Sequence, residues 1–210
     1  MIALLMTAML MTSDAEPAAG LCAEPTNCRE VGRVTFRANG MTFNADINDT
    51  VPFVSPDGLI LFVGESVVVE VGENGELEVE SHGPASDIIT PEKLTLAAEE
   101  MRAALAAMGG DVTPGTVDPV ADGRPENRLR LSLMQLPGME ETVLLVENGY
   151  GRRFDYRAVM QVPGAEQPEY TTTCELIPEF MVLEHWPHAI GAITLSDFRS
   201  VPVSRSIVCD

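Results

Sequence analysis

T-V-L-L-V-E-N-G-Y-G-R-R-F-D-Y-R-A-V-M-Q, residues 142–161, is the stretch that decides the fold class. Residues 142–147 form a continuous apolar run rich in β-branched side chains, the composition of a strand. Asn148-Gly149-Tyr150-Gly151 is a turn signal, because Asn and Gly adopt positive φ at low cost. From 154 to 161 the pattern has period two. Phe154, Tyr156, Ala158 and Met160 share one face, and Asp155, Arg157, Val159 and Gln161 share the other. That is a half-buried antiparallel strand, and the turn before it predicts a hairpin between 142–147 and 154–161.

Working outward, the same alternation recurs. Residues 33–38 and 41–47 alternate on either side of Asn39-Gly40, which predicts a two-residue hairpin. Residues 59–63, 66–71 and 76–80 read as further short strands, as do 128–135, 170–177 and 189–198, and 201–209 can supply an edge strand. One segment breaks the pattern. Thr90-Pro91-Glu92 is a helix start, with a capping side chain, a proline at the first position and an acid in the first turn. Leu94, Ala97, Ala98, Met101, Leu105 and Met108 then recur at helical spacing, which predicts a helix over 91–108. Residues 111–127 hold Pro and Gly without periodicity and read as a long loop. About ten short strands with regular turn signals predict a mainly β protein, an antiparallel immunoglobulin-like β-sandwich with one inserted α-helix. Residues 16–210 are read as one such domain.

The chain has 210 residues and 45% hydrophobic content, enough for a sizeable core. Its formal net charge is −19, from 13 basic and 32 acidic residues. Such a surface repels phosphate backbones and anionic lipid, so nucleic acid is excluded as a partner. Residues 1–11 are apolar, and small residues Ser13 and Ala15 precede Glu16, so 1–15 is read as a signal peptide despite its uncharged start. The apolar run is too short to cross a bilayer, so no membrane insertion is expected once the signal is removed. Bulky Leu21 before Cys22 disfavours a lipid anchor. The expected location is periplasmic or secreted.

The cysteine count agrees with export. Cys22, Cys28, Cys174 and Cys209 are an even set, read as two disulfides with three connectivities open. Cys22–Cys28 and Cys174–Cys209 are favoured because each pair lies within one region; the bland alternative is four buried thiols. Their spacing matches no zinc site.

The strings V-L-L-V-E-N-G-Y (143–150), F-D-Y-R-A-V-M (154–160), T-T-T-C-E-L-I-P (171–178) and E-H-W-P-H (184–188) resemble an uncharacterised group of exported bacterial β-sandwich proteins. The resemblance covers about the last 85 residues, with an echo in L-F-V-G-E-S-V-V-V-E at 61–70. It implies an exported sandwich and carries no assigned activity.

Chemistry-bearing patterns are sparse. No G-x-S-x-G occurs, and Gly72-Glu73-Asn74-Gly75 would set carboxylates against a phosphate. Glu184, His185 and His188 are the one His/carboxylate cluster, and these side chains suit zinc. On a strand, residues three apart point to opposite sides, so a turn would have to converge them; a structural His beside Trp186 is the plainer reading. Ten acids lie in 65–100: Glu65, Glu70, Glu73, Glu76, Glu78, Glu80, Asp87, Glu92, Glu99 and Glu100, against the single base Lys93. They mark either a solvated face or a docking segment for a basic protein or a divalent cation. The expectation is therefore an exported, acidic, non-catalytic binding module with no cofactor. The alternative is a small metal-dependent hydrolase using Glu184, His185 and His188.

Overall fold

In the computed structural model, residues 22, 27–108, 123–202 and 209 are described, without the side chains of 101 and 103–108. The expected signal peptide (1–15), most of the expected loop (111–127) and most of the expected last strand (201–209) lie outside the described residues.

Among the described residues the fold is mainly β, with antiparallel sheets and one α-helix. β1 (Cys28–Ala38) and β2 (Met41–Pro52) form a two-stranded ribbon. Its turn is the expected one: Asn39 and Gly40 have φ of 53° and 72°, and Ala38 pairs with Met41. The other strands are β3 (Val54–Ser55), β4 (Gly58–Phe62), β5 (Glu65–Val71), β6 (Leu77–Pro84), β7 (Leu129–Gln135), β8 (Thr142–Asn148), β9 (Arg153–Gln161), β10 (Glu169–Thr171), β11 (Met181–Trp186) and β12 (Ala192–Val201). They make two five-stranded sheets. One has the order β10-β9-β12-β4-β3 and the other β11-β8-β7-β5-β6.

The inner faces of the two sheets share one apolar core. Leu59, Leu61, Phe154, Tyr156, Ile193 and Leu195 come from the first sheet; Val67, Val69, Leu131, Leu133, Leu144 and Val146 come from the second. Each fully buried Leu or Val contributes about 1.5–3 kcal/mol relative to exposure. The second sheet is also buried on its outer face. There Val143, Leu145 and Met181 pack with Ala85, Ile89 and Ala97, the last from the helix α1 (Pro91–Met108). The architecture is thus a sandwich with a helix laid on one side, and β8 is the layer in the middle. This explains why its apolar run shows no alternation.

The predicted hairpin at 148–151 is corrected by this arrangement. β8 and β9 lie in different sheets, so the turn carries the chain around the edge of the sandwich instead of pairing its flanks. The buried Asn148 amide holds the crossing. Its Nδ2 donates to the carbonyls of Arg152 and Ile177 at 3.0 Å each, and its Oδ1 accepts from the Tyr150 N–H at 3.0 Å. A strand with two apolar faces fits only the middle layer, whereas β9, with one polar face, belongs at a surface.

The helix begins as its sequence requires: Thr90 Oγ1 accepts from the Lys93 N–H at 3.2 Å, and Pro91 occupies the first turn. Two buried acids dock it. Glu147 of β8, fully buried, lies 2.7 Å from Lys93 Nζ and 3.0 Å from an Arg130 nitrogen. Glu100 accepts from the Met181 N–H at 2.8 Å and from Arg124 at 2.7 Å. The disulfides are Cys22–Cys28 and Cys174–Cys209, the favoured pairs. Among the described residues no helix is long and apolar enough to cross a membrane.

Candidate functional site

The outer face of the sheet β10-β9-β12-β4-β3 carries a cavity of about 600 Å³. Its shape follows from one irregularity. β12 pairs with β9 in regular register from Ala192↔Gln161 to Ser196↔Arg157, then shifts, so that Arg199 meets Asp155. Asp197, at φ 55°, sits in the extra loop of this bulge and turns its carboxylate outward. Phe198 turns inward and stacks on Tyr156, with ring centroids 5.5 Å apart. Bulges bend the bulged strand and re-aim side chains, and the bulge residues Asp197 and Phe198 both line the cavity. The turn after β5 leans on it. A Cβ on Gly75, whose φ is 89°, would lie 2.0 Å from the Phe198 carbonyl oxygen, so glycine is required there.

Tyr156, Ala158 and Phe198 line the cavity together with polar and charged groups, and the charges balance. Asp155 and Arg157 come from β9, Asp197 and Arg199 from β12, Tyr170 and Thr171 from β10, and Asn74 from the Gly75 turn. The charges pair across the strands. An Arg157 guanidinium nitrogen is 3.3 Å from Asp197 Oδ2, and Arg199 Nε donates to Asp155 Oδ2 at 2.9 Å. Arg157, Asp197 and Arg199 are all more than half exposed. Tyr170 is 81% exposed, the most open large hydrophobic side chain among the described residues.

Beneath one rim runs a buried polar connection between the sheets. Segment 172–178 spans from β10 to β11, tied to β9 by the isolated bridge Phe154↔Leu176 and by Thr173 Oγ1 donating to the Tyr156 carbonyl at 2.9 Å. Glu184 of β11 points inward at this segment and accepts the Cys174 N–H at 2.9 Å. Burial pushes its carboxyl above the ordinary 4.5, against the opposing pull of that N–H and of the Tyr156 hydroxyl. Tyr156 Oη is buried beside this carboxyl without a well-formed hydrogen bond, and burial first, then the acid, raise its pKa well above 10.

The three residues of the metal alternative are not brought together. Glu184 shares the core face of β11 with Val182 and Trp186, while His185 lies on the other face, 2.8 Å from Glu141 Oε2. His188 turns its Nδ1 to the Ala189 carbonyl at 3.2 Å. Among the described residues no three His, Cys, Asp or Glu side chains gather as a metal would need. The acids of 65–100 do not form one uncompensated face either. Glu65 pairs with Arg29 at 2.6 Å, Glu70 and Glu80 pair with Arg128 at 2.9 and 2.6 Å, and Glu100 is buried. Their partners come from outside the segment, which a local count of bases does not see.

The groove residues were not singled out by sequence reasoning. The one available signal was that the polar face of β9 carries Asp155 and Arg157; which strand lies beside them is a matter of topology. Comparison with family models, with curated proteins and with solved structures gives no match to this chain.

Proposed function

We propose that this protein is an exported, non-catalytic binding module, and that its ligand occupies the groove on the β9–β12 face. The observation that carries this reading is the groove itself, a concave site of about 600 Å³ with charged arms and an exposed ring converging on it. That size and mixture of apolar and directed polar groups are those of a small-ligand site. Two disulfides around a sandwich make a rigid frame, and they belong to oxidising compartments, which supports a periplasmic or secreted location. The signal peptide at 1–15 and the kinship with immunoglobulin-like sandwiches are part of the same reading. In it, the acids of 65–100 serve mainly solubility, and a basic protein or a divalent cation is a secondary partner at the exposed Glu73, Glu78 and Asp87.

The experiment has two readouts. N-terminal sequencing of protein recovered from an exported fraction should begin near Glu16; an intact Met1 in the cytoplasm overturns export. The isotope-labelled protein is then titrated with the polysaccharide and low-mass fractions of its growth medium. Backbone amide shifts should concentrate at Asp155–Arg157, Tyr170–Thr173 and Asp197–Arg199. Shifts elsewhere with this face silent, or no shift in any fraction, overturn the groove as the binding site.

A further inference from the structure

The chemistry of the groove narrows its ligand, on the premise that the groove binds. The geometry points to a neutral carbohydrate, a short oligosaccharide laid across β9 and β12 with Tyr170 as its platform.

The protein as a whole carries −19, so an anionic ligand approaches against its field. A cationic ligand finds no uncompensated carboxylate in the groove, because Asp155 faces Arg199 and Asp197 faces Arg157. The site is a locally neutral patch on an acidic protein. A neutral ligand needs neither charge and can use the exposed Arg157, Asp197 and Arg199.

The second step is geometry. A carboxylate offers two acceptors in a plane, and a guanidinium offers a planar fork of donors. Vicinal hydroxyls, which both donate and accept, match these arms in pairs. The arms alternate in sign over two adjacent strands about 4.8 Å apart, close to the width of a pyranose ring. The Arg157–Asp197 pair is exposed, and such pairs are worth about 0–1 kcal/mol, so turning these two arms to a ligand costs little. The buried Asp155 keeps Arg199 beside it.

The third step is the ring. Tyr170 is 81% exposed in a short edge strand, with no aromatic contact among the described residues. A tyrosine so placed presents an apolar face beside polar groups, at low side-chain entropy. A sugar has the complementary form, with C–H groups on one face of the ring and hydroxyls around its edge. An apolar ligand would strip water from the exposed charged arms and return no hydrogen bond, which costs affinity at each of them.

The test is a titration of the full protein with neutral hexose oligomers, α-linked and β-linked, read by calorimetry and by amide shifts. An oligouronate and a polyamine serve as charged probes. A neutral oligomer should bind at the groove. Tyr170→Ala should weaken it at least tenfold, Tyr170→Phe should keep it, and Arg157→Ala should weaken it without loss of fold. Because the ring is exposed, thermal melts of both Tyr170 variants should match the parent. Binding of a charged probe at these residues, with neutral oligomers inert, overturns the carbohydrate and leaves the groove a binding site. Neutral oligomers that bind with Tyr170→Ala unimpaired overturn the platform. If no probe binds and no growth-medium fraction shifts these residues, both readings fall together.

Discussion

The two sheets share a core but differ on their outer faces. The outer face of β11-β8-β7-β5-β6 carries Val143, Leu145 and Met181 and is roofed by α1; that of β10-β9-β12-β4-β3 carries Asp155, Arg157 and Arg199 and is open. The covered face gains the stabilisation of a second apolar layer and gives up access. The open face contributes less to stability and leaves its paired charged arms within reach of a ligand. Charges are present on both, in opposite roles. Glu147 is buried under the helix and holds Lys93 and Arg130, while Asp197 stands on a bulge and holds Arg157 at a more than half exposed contact.

The sharpest way to break this contrast is to remove the buried acid. Glu147→Ala leaves Lys93 and Arg130 facing a desolvated space with no counter-charge. Breaking a buried pair from one side costs about 3–5 kcal/mol. Urea unfolding should show this as a lower midpoint with a similar slope. A change below about 1 kcal/mol would mean that the roof over β8 is not an interior.

A second prediction concerns the segment that closes the open sheet's edge. Reducing and blocking Cys174–Cys209 frees a loop spanning a separation of 35 residues, worth about 4 kcal/mol in the chain-entropy account; Cys22–Cys28, with a separation of 6, is worth about 2. Cys174→Ser with Cys209→Ser should therefore lower thermal stability more than the Cys22 and Cys28 pair of changes. The reverse order would show that the 172–178 segment is held by its hydrogen bonds alone.

The same contrast explains what could be read from the residues alone. Period two in F-D-Y-R-A-V-M marks β9 as a strand with one wet face, and the cap at Thr90 with Pro91 marks the start of the helix; both signals are local and both hold. T-V-L-L-V-E is equally local as a strand, but whether its partner is the next strand depends on what covers its second face. That cover is α1, some forty residues earlier in the chain, so the hairpin inference fails. β11 was read only as a His/Glu cluster, because Pro187 and the two histidines mask a strand whose Val182, Glu184 and Trp186 face inward. The groove is less legible still: Asp155 meets Arg199 only because β12 is bulged at Asp197, a pairing across 44 residues.

Glu184 offers a subtler test at the seam between the sheets. Its folded-state pKa is raised by burial, so the native protein holds this proton to higher pH than the unfolded chain does. The stabilisation from the protonated form is complete below the unfolded value near 4.5 and is lost as pH rises through the folded value. Glu184→Gln keeps an acceptor for the Cys174 N–H and cannot titrate. As pH rises above the unfolded value, the variant should gain stability relative to the parent, as followed by urea midpoints. A difference that stays constant with pH would show that the carboxyl is ionised throughout and well solvated.

The smallest expected effect bears on the open face. Arg157→Ala removes one arm of an ion pair whose side chains are 68% and 60% exposed. Water replaces the lost partner for Asp197, and no buried group is left unsatisfied. Surface substitutions of this kind stay within about 0.5 kcal/mol. The bulge does not depend on the pair, because it is held from below by Phe198 stacked on Tyr156 and from the side by the Gly75 turn against the Phe198 carbonyl. The parent and Arg157→Ala should therefore superimpose in urea unfolding, while any groove ligand binds the variant more weakly. A loss of more than about 1 kcal/mol would place Arg157 in the structural frame, and the open face would then resemble the covered one, its charges serving the fold.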